Sequence, residues 1–487
     1  MASAQSSPNG TGTGPERTAL ASRHRHLTVE ERVARGKAAR AQSPRSAQAQ
    51  PARAEGGRDP VATLAAEAEG RISGLVPIRH GRMLASPFAF FRGAAGIMAA
   101  DLASTPRTEI HVQLCGDAHL ANFGTFGSPE RKLLFDINDF DETLPGPWEW
   151  DVKRLAASFE VAGRELGFAP ADRQASVLAC VEAYRTQMRA SAEMQTLDAW
   201  YDHLDVEALL EWVQAEVAAK RLGKKEASEA AEDVAKARKR DHQRVLDRRT
   251  VEVDGKLRIV GAPPLIVPLE ELDEWSGWSE ETARQVISAY RDSLADHHHP
   301  IEEFQLVHAA RKVVGIGSVG TDALIALLVG RDNRDVLFLQ AKEAQPSALE
   351  PYIGASEHDN HGRRVVVGQR LMQAASDIFL GWIRLERPDG PRDYYVRQLH
   401  DWKGGAEIET FRPEGAMLYG RVCGATLARA HARWGDRIAI ASYLGRGDTF
   451  DKALVRFAAE YADQNERDYD AFAGAVRSGR IAAETGV

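Results

Sequence analysis

Cysteine is scarce in this chain: three residues in 487, Cys115, Cys180 and Cys423, lie far apart and form no CxxC pair. A disulfide framework is excluded and a thiolate zinc site disfavoured, which suits a reducing cytoplasm. Long hydrophobic runs are lacking too. The longest clean one, Ala323 to Val329 (ALIALLV), is far short of the ~20 apolar residues that cross a bilayer. The polar, Gly/Ser-rich N-terminus holds no apolar stretch of signal-peptide type. Nor is there an excess of positive charge: 62 Lys and Arg stand against 70 Asp and Glu, a net of −8. That removes the usual basis for general nucleic-acid binding. The expectation is a soluble cytoplasmic protein with neither membrane nor general nucleic-acid partners.

What is present is an ordinary globular mixture, 44% hydrophobic and 27% charged, with 16 Phe, 10 Tyr and 9 Trp. The length is too great for one simple core, so several units are expected. Residues 1–58 carry ten Lys/Arg against four Glu and almost no large apolar residue. They read as a disordered basic tail, with one short helix at 28–40 opened by the capping-box spacing of Thr28 and Glu31. Residues 59–165 contain two strands, His111 to Cys115 and Lys132 to Ile137, with loops rich in Asp. Residues 166–300 read as helices, and the charged run 220–249 as the solvated face of a helical hairpin. Residues 301–405 return to strands at 312–316, 323–328, 336–341, 379–385 and 394–399. Helices at 415–433 and 448–473 complete the chain in residues 406–487. The fold class is α+β.

The densest chemistry lies between Gly116 and Asp151. Asp117 and Asn122 stand five residues apart just after a strand, and Asp136, Asp139 and Asp141 follow in FDINDFDE. Carboxylates so crowded around two short strands repel one another unless a cation intervenes, and hard oxygen ligands suit Mg²⁺ or Mn²⁺. Asp-x-x-x-x-Asn followed by Asp-Phe is the phosphoryl-transfer pattern. In it Asp117 is the base, Asn122 a metal ligand and Asp139 the main metal carboxylate. Asp136 ends an apolar strand and competes with Asp139 for that role; His119 is a third ligand, a base or a loop-packing residue. The plain alternative is that Asp and Asn cap turns at strand ends.

A second block starts at Gly315-Ile316-Gly317-Ser318-Val319-Gly320, which fits G-x-G-x-x-G. Alone the motif is shared by dinucleotide folds and kinases. A Rossmann unit needs a helix next, and TDALIALL is open to that reading. A hairpin whose second strand delivers a lysine is the kinase arrangement, with Lys342 on the phosphates. The following helix, 363–377, carries Gln369 and Gln373 but no Glu to pair with that lysine; Glu343 and Glu350 are the substitutes nearby.

The segments PIRHGRM (77–83), SPFAFFRG (86–93), LCGDAHLANFG (114–124), FDINDFDETLPGPWEWDVKRLAAS (135–158) and RKVVGIGSVGT (311–321) resemble a bacterial domain-of-unknown-function family, number 2252, over nearly everything from about residue 25 onward. The family name supplies no activity. The chain also resembles protein-kinase-like and aminoglycoside-phosphotransferase-like enzymes, with the two blocks in swapped order. That resemblance implies a two-lobed kinase-like fold, circularly permuted, with a helical insert and a disordered N-terminal tail. It implies ATP and Mg²⁺ as cofactors, with Gly315, Gly317, Ser318, Gly320 and Lys342 on the phosphates and Gln398 and Leu399 at the adenine hinge. The expected activity is phosphoryl transfer to an unknown hydroxyl acceptor, a small molecule or a protein. Arg79, Arg82 and Arg92 are candidates for an anionic acceptor or for structural ion pairs. The rivals are a metal-dependent phosphoesterase and a catalytically silent pseudokinase-like nucleotide-binding module.

Overall fold

Thr28 opens the first helix, α1 (Val29–Gln42), through the reciprocal pair that a capping box requires. The Glu31 N–H donates to Thr28 Oγ1 at 3.2 Å and the Thr28 N–H to Glu31 Oε2 at 2.9 Å. The computed structural model describes residues 26–51, 58–219, 223–238, 250–272, 280–294, 299–313, 315–387, 390–399 and 402–486. Helix α1 is not part of a free tail. Arg40 Nε and Arg45 Nη1 donate to the carbonyls of Tyr443 and Leu444 at 2.9 and 2.6 Å. These are the open carbonyls at the end of a C-terminal helix, where cations are favoured. The part of the expected tail from 29 to 49 is therefore packed, while its residues 1–25 and 52–57 lie outside the described residues.

Four short helices follow: α2 (Pro60–Ala68), α3 (Val76–Met83), α4 (Pro87–Arg92) and α5 (Ala95–Leu102). Asp59 and Ser86 cap α2 and α4 ahead of a proline at the first helical position. Strand β1 (His111–Leu114) then pairs with β4 (Leu144–Pro147), and β2 (Phe123–Gly127) with β3 (Leu133–Ile137). Helix α6 (Glu149–Glu165) is buried on every side from Glu149 to Gly163, which makes it the axis of this half of the molecule. After α7 (Pro170–Glu193) come β5 (Leu204–Asp205), α8 (Val206–Ala218) and α9 (Lys224–Arg238). Residues 220–222 and 239–249 of the charged run lie outside the described residues.

The region 166–300 is not helical throughout, contrary to expectation. A hairpin, β6 (Thr250–Val253) and β7 (Lys256–Ile259), turns at Asp254-Gly255, both with positive φ, 51° and 74°. That dipeptide and the alternation that buries Leu257 and Ile259 are hairpin signals. Strand β8 (Ile266–Pro268) joins the main sheet, so that sheet begins about 35 residues before the expected boundary at 301.

Helix α10 (Glu280–Arg291) precedes the rest of that sheet: β9 (Gln305–Lys312), β10 (Ala323–Val329), β11 (Val336–Glu343), then α11 (His361–Met372), β12 (Gly381–Arg387) and β13 (Gly390–Gln398). The strand order is β12-β13-β11-β10-β9-β8, antiparallel throughout. Residues alternate across it. Leu337, Leu339 and Ala341 pack with the apolar face of α10, while Val336 and Phe338 pack with Ile325, Leu327 and the β6–β7 hairpin. Both faces are covered, which explains the continuous apolar runs. The strand expected at 312–316 ends at Lys312, where the glycine loop begins. The segment 323–328 is a strand, so the helix that a Rossmann unit requires at this point is absent.

Helices α12 (Pro413–Trp434), α13 (Arg437–Leu444) and α14 (Thr449–Arg477) close the chain. Helix α12 lies against α7 at a distance that only glycine permits: a Cβ at Gly424 would fall 2.0 Å from the Cys180 carbonyl oxygen. No helix among the described residues is long and apolar enough to cross a membrane.

Candidate functional site

Helix α6 builds the first half of the site. Asp151, in its first turn, accepts the backbone N–H groups of Cys115 and Gly116 at 2.8 and 3.1 Å, and His431 Nε2 lies 3.2 Å from the same carboxylate. Arg154 donates Nε to Asp117 Oδ1 at 2.5 Å, and Ser158 accepts the Leu120 N–H at 3.0 Å. Positions 151, 154 and 158 share one helical face, so a single stripe of α6 fixes the whole loop 115–122. Gly116 has φ +83°, and a Cβ there would meet the Glu142 carbonyl oxygen at 2.2 Å. The turn that presents Asp117 thus requires glycine.

Asn122 donates Nδ2 to the Asp117 carbonyl at 2.9 Å, and its own carbonyl accepts the Asn138 N–H at 2.8 Å. This contact joins the loop to the second one, residues 138–143. There Asp141 is a hub: Lys342 of β11 pairs with its Oδ2, Ser318 of the glycine loop donates to Oδ2 at 3.0 Å, and Tyr395 of β13 donates to Oδ1 at 2.7 Å. Strand register puts Lys342 opposite Tyr395, so both side chains reach the same carboxylate. Arg364 of α11 locks the loop from behind, bonding the carbonyls of Asp141 and Thr143 at 2.8 and 2.7 Å.

The acids titrate in opposite directions. Burial would raise Asp141, but the Lys342 ammonium and the two hydrogen bonds hold it at about 2. Burial likewise opposes the charge on Lys342, and Asp141 overcomes it, keeping the lysine protonated. Asp139 is raised by burial and then by its neighbour Asp141. Asp117 is raised by burial against the pull of Arg154. Burial pushes Glu142 up to about 7, with Arg364 opposing. His119 is driven far down by burial and by Arg154 and Arg92. It is neutral, so its 3.6 Å approach to Asp117 is not an ion pair.

A cavity of about 570 Å³ unites the expected residues, lined by Asp117, Asn122, Asp139, Gly315, Gly317 and Ser318 among others. Gly315 and Gly320 take positive φ, 65° and 92°. The carbonyl side of the loop is held by two arginines. Arg71 donates to Gly317 and Val319, each at 2.8 Å, and Arg82 to Gly315 at 2.6 Å. Lys342 reaches the cavity wall through Asp141.

Gly320 ends the glycine loop without lining the cavity, and three further candidates lie elsewhere. Asp136 accepts the N–H groups of Ile137 and Ala374 at 2.9 and 3.2 Å and faces Arg433 at 3.8 Å, behind the loop and outside the cavity lining. Gln398 gives its backbone N–H to Asp377, and Leu399 is buried in the apolar layer under β11, so neither lines the cavity. The lysine's acidic partner is Asp141, not Glu343 or Glu350: Glu343 binds Arg392 and Glu350 accepts the Ser347 N–H. Sequence reasoning had no signal for Tyr395, Arg154 or Arg71. Asp141 stands in the expected carboxylate cluster, but nothing in the sequence marks it as the partner of Lys342.

Among the described residues no three His, Cys, Asp or Glu side chains are grouped to hold a metal ion by themselves. The chemistry of the donor set fits Mg²⁺ in another way. Asp139 is a buried carboxylate crowded by a second one, with the Asn122 amide on the same cavity, and Mg²⁺ is commonly held by one or two protein ligands plus phosphate and water. No curated protein and no solved structure matches the chain. A family model does, over residues 71–475, which include both blocks of the cavity, so the chain belongs to the family described as uncharacterized protein conserved in bacteria (DUF2252).

Proposed function

We propose that the protein is an ATP- and Mg²⁺-dependent phosphotransferase of protein-kinase-like, circularly permuted build that acts on a hydroxyl acceptor. One observation carries the reading: the glycine loop and the strand lysine, though about 200 residues away in the chain, meet the Asp139–Asp141 loop through Ser318 and Lys342. Further support comes from β9, β10, β11, α11, β12 and β13. A glycine-rich loop between the first two strands, a buried lysine on the third and a helix after it make up the kinase small-lobe pattern.

Asp117 is the group to orient and accept the acceptor's proton. Arg154 occupies its Oδ1, which leaves Oδ2 toward the hydroxyl. In a loose phosphoryl-transfer transition state this work is mainly positioning. Asp139 and Asn122 are the residues to hold Mg²⁺, which when bound neutralises charge on the phosphate oxygens. Lys342, kept protonated by Asp141, faces the phosphates of the nucleotide. No residue is assigned to the adenine, because Gln398 and Leu399 are engaged elsewhere.

The test is nucleotide-dependent thermal stabilisation, with and without Mg²⁺. Wild type is expected to shift upward with MgATP, Lys342→Met to lose the shift, and Asp139→Asn to lose its Mg²⁺ dependence. No shift in the wild-type protein would sink the proposal. A shift without measurable turnover would identify the silent binding module. Metal-dependent hydrolysis untouched by Lys342→Met would identify a phosphoesterase.

A further inference from the structure

We infer that the acceptor carries a phosphate or carboxylate group, and that Arg71, Arg79 and Arg92, which line the same cavity, form the subsite that reads it. The inference rests on the phosphotransferase reading and names the class of its acceptor.

Arg71 and Arg92 have no carboxylate partner among the described residues, and Arg79 has one, Glu67. Among the described residues Arg92 has no carboxylate within ion-pair reach and no hydrogen bond; its guanidinium lies 5.9 Å from the Phe88 ring, and its Nε is buried without a partner. Arg71 bonds only carbonyl oxygens, those of Glu67, Gly317 and Val319. Burial pulls it down to about 10. Arg79 is 1% exposed; one nitrogen is taken by Glu67 and the Gly93 carbonyl, each at 2.9 Å, and both Nε and Nη1 are buried with no partner. Buried guanidinium N–H groups left unpaired are costly, and an anion is the ligand that satisfies them. Guanidinium forks match phosphate and carboxylate in particular.

Of the cavity's acids, Asp117 is taken by Arg154, Asp141 by Lys342 and Glu343 by Arg392, while Glu67 reaches one nitrogen of Arg79 and leaves the other two unpaired. Position points to the acceptor and not the nucleotide. The arginines lie between residues 71 and 92, and the carboxylate that Arg92 feels most strongly is Asp117, the proposed base. The nucleotide phosphates already have the glycine loop and Lys342. A cavity of about 570 Å³ has room for a phosphate chain and a small acceptor or a single side chain.

The experiment titrates inorganic phosphate, and malonate as the carboxylate arm, into the full chain by calorimetry, with and without Mg²⁺ and a non-hydrolysable ATP analogue. One of the two anions is expected to bind wild type in both states, and the stronger one tells phosphate from carboxylate. Arg92→Gln should weaken it at least tenfold, with Arg92→Lys recovering part of the loss. Arg71→Gln provides a second variant should Arg92→Gln melt early. Equal binding in wild type and both Gln variants overturns the proposal, as does no anion binding at all. Displacement of the anion by the analogue also overturns it, by giving the arginines to the nucleotide. Binding of the analogue alone reads the phosphotransferase assignment separately: its absence, with arginine-dependent anion binding intact, removes that assignment and leaves the anion site standing.

Discussion

The loop that carries Asp117 and the loop that carries Asp139 and Asp141 border one cavity, yet they are held in different ways. The first is wired to α6, by Asp151, Arg154 and Ser158, all within about 45 residues of it. The second is held from afar, by Ser318, Lys342, Arg364 and Tyr395, separated from it by 177 to 254 residues. One loop is a property of its own half of the molecule. The other takes its shape only once the β-rich block has docked. Charge does not follow that division: Asp139 and Glu142 are raised by burial as Asp117 is, and of these acids only Asp141 is lowered. Asp117, although paired with an arginine, is raised by burial, while Asp141, two residues from a raised Asp139, is held at about 2.

The local loop should break hardest. Asp151→Ala leaves two buried backbone N–H groups without an acceptor, a loss of about 2–6 kcal/mol. Chemical denaturation is expected to show it, together with loss of any nucleotide response.

Next in size is the long-range pair. Lys342→Met at neutral pH strips the charge partner from Asp141, which costs about 2–3 kcal/mol once partial solvent access is allowed for. Asp141→Asn in that background should return most of it. No recovery in the double variant would break the proposed coupling. The pair also sets a pH dependence. Asp141 is lowered from 3.8 to about 2, so it contributes stability above its unfolded value that is lost as pH falls through about 2. Lys342→Met should flatten that acid limb.

Glu142 offers an effect of opposite sign. Its carboxyl rises from 4.5 to about 7, so the folded chain holds a proton that the unfolded chain has released. Its contribution is complete below 4.5 and is lost as pH rises through about 7. Denaturation series from pH 5 to 8 should show that decline in wild type and a flatter profile in Glu142→Gln. Smallest of all should be the effect of Asp136→Asn on ligand binding: some stability lost, but the Mg²⁺ dependence of the nucleotide shift unchanged, in contrast to Asp139→Asn.

The parts of this arrangement that were legible in the sequence are the ones local spacing dictates. The capping box at Thr28, the glycine loop at 315–320, the strand 323–328 and the triplet Asp117, Asn122 and Asp139 each announce themselves within a few residues. Spacing ranks Asp139 ahead of Asp136 without removing Asp136, because the strand's exit direction decides which carboxylate faces the cavity. The partner of Lys342 was hidden for a related reason. A helix without glutamate says only that the partner is elsewhere, and the contact with Asp141 arises between elements 201 residues apart. The Asp254-Gly255 turn was readable and was lost inside a charged, helical-looking stretch. Residues 29–49 read as tail because their anchors are arginines on carbonyls, a mode of attachment that leaves no apolar pattern.

The distance between Asp141 and Lys342 has a consequence for biosynthesis. Asp141 leaves the ribosome 201 residues ahead of its cation. At roughly 5–20 residues per second, that is a wait of about 10–40 s. Throughout that interval the nascent chain carries Asp139, Asp141 and Glu142 with no lysine to offset them. Helices α12 to α14, which pack on α6 and α7, leave the ribosome later still, so this loop meets its cation before the helical half has all its parts.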